Sequence, residues 1–100
     1  MVVDRDEDGI RWAELHVVAL SRAALRTRPG EREPVVLRHA RLARSLRKPI
    51  VVVRAEPVEV PSWLEGAPVV DLGPDRDFEK VVADLSAGRI VPVVLPPLQE

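Results

Sequence analysis

The stretch Lys48-Pro49-Ile50-Val51-Val52-Val53-Arg54 sets four β-branched residues in a row without a polar interruption. A strand with one wet face alternates apolar and polar side chains, whereas an unbroken run belongs to a strand covered on both faces. Pro49 stands at the first position of the run, where a missing N–H does least harm to a ladder. The pattern before it, Pro34 to Arg47, has helical spacing, and a proline-punctuated loop after it leads to a second short apolar run. Ile50–Val53 is therefore expected as the interior strand of a βαβ arrangement.

One hundred residues make one small domain, here 1–100, with an acidic N-terminal segment 1–9 expected to be flexible and a tail at 96–100. Residues 4–9 (Asp-Arg-Asp-Glu-Asp-Gly) look like the opening of a calcium loop, but the position of the bidentate glutamate is occupied by Leu15. A solvated acidic terminus is the better reading. Gly9–Glu14 reads as a helical turn with Ile10 and Trp12 inward, and Leu15–Leu20 as the first strand. His16 has no partner at metal-ligand spacing and reads as a satisfied or edge-facing histidine; no metal site is expected. Ser21–Arg28, short helix or loop, ends at the turn signal Pro29-Gly30.

Pro34 is expected at the first helical position, with Glu31 and Glu33 near the positive end of the helix. Val36, Leu37, Ala40, Ala43 and Leu46 form its apolar stripe. Beyond the central strand, Ala55–Pro61 is an extended linker and Ser62–Gly66 a single turn ended by glycine. Pro68–Leu72 reads as a third strand. Asp75 or Asp77 caps a helix over Phe78–Ala87, whose inward face is Phe78, Val81, Val82 and Leu85, and Gly88 stops it. Ile90–Leu95 reads as an edge or irregular fourth strand because Pro92 interrupts it. The fold class is α/β: a small parallel, flavodoxin-like sheet of about four strands with flanking helices.

Charge is unevenly distributed. Arg22 to Arg54 carries ten basic residues against Glu31 and Glu33, a balance of +8, and the remainder carries −9, for a total of −1. Opposite segments of this kind favour contact between copies. With no cysteine there is neither a disulfide framework nor a thiolate zinc site, which fits a reducing compartment. No apolar run approaches the ~20 residues that span a bilayer, and the N-terminus does not read as a signal peptide, so a cytoplasmic protein without membrane contact is expected. Arg38, Arg41, Arg44, Arg47 and Lys48 recur along the first helix with no acid at i±4, and as a binding stripe they would suit an anion or nucleic acid. Nucleic acid is not favoured, since stacking needs free aromatic rings and Trp12, Trp63 and Phe78 all have core or turn positions. A solvated helix face accounts for the stripe equally well. Trp63 reads as a turn anchor before it reads as a binding platform.

Taken in order, four motifs resemble the C-terminal half of a bacterial-type Toll/interleukin-1 receptor (TIR) domain. They are an apolar strand ending in serine (Val17 to Ser21), a helix followed by lysine-proline and a valine-rich strand (Lys48 to Val53), a Pro-x-Trp-Leu-x-Gly turn leading to Val69-Val70-Asp71-Leu72, and a helix opened by Asp77-Phe78-Glu79. The matches span residues 12–87. The family's first strand, helix and second strand have no counterpart, about one βαβ unit of roughly thirty residues or more. The resemblance thus implies either a reduced relative or a chain completed by a partner segment.

It also implies a role in bacterial signalling or defence, with two functional branches. One is a catalytically silent interaction and assembly module, associating with itself or another protein and needing no cofactor. The other is an NAD hydrolase, or part of one, that releases nicotinamide using a glutamate after the strand-ending serine, here Ser21. Counting forward from Ser21 places that residue at Glu33, with Pro29-Gly30 where the family has Trp-Cys; counting back from Lys48-Pro49 places it at His39. A carboxylate is needed to stabilise an oxocarbenium-like ribose, so only Glu33 is suited to it. The silent module is the favoured branch. The missing first strand further implies that the Leu15–Leu20 edge is left open to pairing.

Overall fold

The structure, a computed structural model, describes residues 14–96. Its elements in chain order are β1 (His16–Leu20), α1 (Val35–Ser45), β2 (Pro49–Arg54), a 3₁₀ turn (Ser62–Leu64), β3 (Val69–Asp71), α2 (Phe78–Ser86) and β4 (Val93–Val94). The expected calcium-like segment and the turn carrying Ile10 and Trp12 lie outside the described residues, apart from Glu14.

β2 is the interior strand. It pairs parallel with β1, His16 beside Ile50 through Leu20 beside Arg54, and parallel with β3, Val52 beside Val69 through Arg54 beside Asp71. Ile50, Val51 and Val52 have no exposed surface and Val53 has 1%, as a run buried on both faces requires. The fourth strand departs from the expected parallel sheet: β4 runs antiparallel to β2, with Val93 beside Ile50 and Val94 beside Pro49. β3 reaches only Val52–Arg54, so the start of β2 is free on that side, and β4 fills it. Pro92, which has no N–H to donate, accompanies a strand only two residues long.

The pleat sorts the sheet into two faces. Val18, Leu20, Ile50 and Val52 point to one side, where they pack with Ala40 and Ala43 of α1 and with Leu64, Ala67 and Leu95. Val51, Val53 and Val70 point to the other side and pack with Val81 of α2. The α1 stripe thus meets the sheet as its spacing implies, with small alanines at the closest approach.

α1 begins one residue later than expected. Pro34 has ψ 145 and is the cap, and its carbonyl accepts from the N–H groups of Leu37 and Arg38, 3.1 Å each. At the other end, Lys48 N–H donates to Ala43 O and Arg47 N–H to Arg44 O, both 3.0 Å. This is a Schellman ending with Arg47, φ 57, at the left-handed position where glycine is usual. Asp77 is the residue that caps α2, its side chain accepting from Lys80 N–H at 2.9 Å. Phe78 and Val82, expected to face inward, are instead 48% and 45% exposed. α2 contributes only Val81 to the buried set, and Leu85 packs partly buried beside it, together with Leu15, Val17, Leu72 and Ile90 from outside the helix.

Candidate functional site

In parallel α/β sheets the carboxyl ends of the strands, with the loops that leave them, form the usual ligand-binding edge. Here β1 delivers Ser21, β2 delivers Arg54 and β3 delivers Asp71 to that edge. Ser21 Oγ accepts from Ala24 N–H at 3.0 Å and so shapes the loop that follows it. Arg54 forks onto Asp71, Nε to Oδ1 at 2.6 Å and Nη2 to Oδ2 at 2.9 Å, and its Nη1 donates to Val58 O at 3.1 Å. Those hydrogen bonds hold the Asp71 carboxyl below its ordinary range and the Arg54 guanidinium above its own. Glu56 accepts from the backbone N–H of Arg22 at 3.0 Å and pairs with its guanidinium at 3.5 Å. A cavity of about 160 Å³ lies between Arg54, Glu56, Pro57, Asp71 and Leu72. A second, of about 270 Å³, lies between the loop after β1 and the start of α1, bordered by Arg26, Arg28 and Glu31.

Glu33 borders neither of these cavities. Its Oε2 accepts from Arg41 Nε at 2.9 Å, eight residues along the chain. The other counted position, His39, lies on α1, and its Nε2 is buried with no hydrogen-bond partner among the described residues. His16 on β1 has an unpartnered buried Nε2 of the same kind. Burial, and secondarily the charge of His39, lowers the His16 pKa from 6.5. Among the described residues no group of three or more His, Cys, Asp or Glu is placed to hold a metal ion. No described helix is long and apolar enough to cross a membrane.

The basic stripe divides on folding. Arg44 lies over the 3₁₀ turn, donating to the backbone carbonyls of Trp63 and Pro96. Arg41 pairs with Glu33, and its guanidinium stands 4.5 Å from the centroid of the Trp63 ring. Trp63 is half-buried against the α1-side core, as a turn anchor would be. Arg38 and Arg47 are exposed, and Lys48 is half-buried. The stripe is thus partly an internal clamp between α1 and the turn. Sequence reading missed this because the partners of Arg44 are backbone carbonyls 19 and 52 residues away, which no local charge pattern reveals.

β1 is the last strand of the sheet, and among the described residues nothing pairs with its outer side. Compared with known protein-family models, curated proteins and solved structures, the chain matches none.

Proposed function

We propose that this chain is a protein-interaction and assembly module of TIR-like type, catalytically silent, acting in bacterial signalling or defence inside the cell. The observation that carries the reading is the open outer edge of β1, an apolar strand with no described partner on that side. An unblunted strand edge presents a row of N–H and C=O groups that another strand completes. Two further observations weigh on the same side. The Glu33 carboxylate is engaged by Arg41 outside the cavities described at the strand ends. Two arginines of the basic stripe are committed to internal contacts, which leaves less of it for nucleic acid.

The test is incubation of purified chain with NAD and measurement of free nicotinamide. No release is the expected result, and Glu33→Gln is expected to change nothing. Turnover that disappears in Glu33→Gln would replace the silent module by an NAD hydrolase.

A further inference from the structure

A groove of about 680 Å³ lies where the loop after β1, α1 and the stretch around the 3₁₀ turn meet. Leu25, Leu37, Val60 and Pro61 line it half-buried, and Glu59 and Glu65 line it exposed. No lysine or arginine is among its lining residues. Leu25, Leu37 and Val60 also pack against the α1-side core, so the apolar lining is anchored to the fold.

The charge of this groove comes from a segment of one sign. Ala55 to Asp75 holds Glu56, Glu59, Glu65, Asp71 and Asp75 and neither lysine nor arginine. Folding pairs Glu56 with Arg22 and Asp71 with Arg54. Glu59 and Glu65, the two that line the groove, have no ion pair among the described residues. A volume of this size with an apolar lining and unpaired carboxylates suits a partner that is both aliphatic and cationic.

The backbone beside the groove says what form that partner takes. Pro61 disfavours helical backbone at Val60 and holds the chain extended there. Neither Glu59 nor Val60 makes a backbone hydrogen bond among the described residues, so their N–H and C=O groups are open to an added strand. Val58, Glu59 and Val60 run half-buried, exposed, half-buried, as alternating side chains of an extended segment do. A strand laid alongside would share that alternation, with aliphatic residues turned inward and basic residues turned outward beside Glu59.

We propose that this groove binds an extended peptide segment in which aliphatic and basic residues alternate. The proposal rests on the interaction-module reading and names the chemistry of one partner.

Fluorescence anisotropy of the labelled peptide Leu-Lys-Val-Lys-Leu with the full 100-residue chain tests it. Saturable binding that weakens as salt is raised is expected. The counterpart Leu-Glu-Val-Glu-Leu is expected not to bind. Glu59→Lys combined with Glu65→Lys is expected to lower affinity for the lysine peptide about tenfold and to let the glutamate peptide bind. Both side chains are exposed, so the double variant is expected to keep its fold. Asp75→Lys makes the same change of charge at an exposed carboxylate outside the groove and is expected to leave affinity unchanged.

Absence of saturable binding would overturn the proposal. So would equal losses in Asp75→Lys and a single Glu59→Lys, which would reduce the effect to net charge. Spermidine competing as well as the unlabelled peptide would overturn it too, since a small cation would then be enough. Any of these results leaves the open β1 edge, and the module reading, in place. Glu33-dependent nicotinamide release is a separate readout and would overturn that reading instead.

Discussion

The two faces of the sheet are built to different standards. On the α1 side, four strand residues meet two buried alanines of α1, and Leu64, Ala67 and Leu95 close the rim. Arg44 then ties α1 to the turn through two backbone carbonyls. On the α2 side, Val51, Val53 and Val70 meet one fully buried helix residue, Val81, while Phe78 and Val82 remain about half in water. The same strands serve both faces, so the difference comes from the covering elements. A core closed by a helix, a turn and a cationic clamp sets the fold, and a face covered by one short helix rides on it.

Side-chain truncation should separate the two faces most clearly. Leu20→Ala removes a side chain that is 1% exposed on the α1 side and is expected to cost about 2–5 kcal/mol. Phe78→Ala on the other side is expected to cost well under that, about 1 kcal/mol, because half the ring is already hydrated. Chemical denaturation of both variants checks the pair, and comparable losses would erase the distinction between the faces.

A second effect belongs to the α1 side alone. His16 has its pKa lowered by burial and then by His39, so the folded chain favours neutral imidazole. The unfolded chain takes up the proton as pH falls through about 6.5, and the folded chain lags behind it. Stability is therefore full above that pH and declines below it toward the folded pKa. His16→Leu should flatten the decline between pH 7 and pH 5, as followed by thermal melts across that range.

The smallest effect concerns the end of α1. Arg47 holds φ 57, a conformation that costs an L-residue about 1–2 kcal/mol and glycine little. Arg47→Gly is expected to stabilise the chain by up to about 1 kcal/mol, the gain being reduced by the greater freedom of glycine in the unfolded state. A lowered melting temperature would mean that the Arg47 side chain makes contacts that outweigh its backbone strain.

Much of this architecture is legible in the sequence where the physics is local. The unbroken Ile50–Val53 run announces an interior strand, the spacing of Ala40 and Ala43 marks the face of α1, and Gly66 and Gly88, φ 98 and 77, end their turns where glycine is needed. What was not legible depends on distant partners. The spacing of Phe78, Val81, Val82 and Leu85 describes an apolar face but not how much strand surface lies beneath it. The direction of β4 depends on which part of β2 the three-residue β3 leaves open. Arg41 reads as part of a free cationic row until folding brings Glu33 and Trp63 beside it. For the site, the resemblance supplied Glu33 and His39 as candidates, and counting alone had no means of finding that Arg41 engages Glu33 or that His39 Nε2 is buried without a hydrogen-bond partner among the described residues.

Amide hydrogen exchange along β1 tests most directly the open edge on which the assembly reading rests. Ala55 N–H donates to Leu20 O at 2.9 Å, so the Leu20 peptide groups face β2. Along an extended strand this direction alternates, so Val18 also faces β2, and Val17 and Ala19 face outward. In dilute solution Val18 and Leu20 should exchange slowly, and Val17 and Ala19 should exchange fast. Protection of Val17 and Ala19 at the lowest concentration would contradict an edge that is open in the single chain.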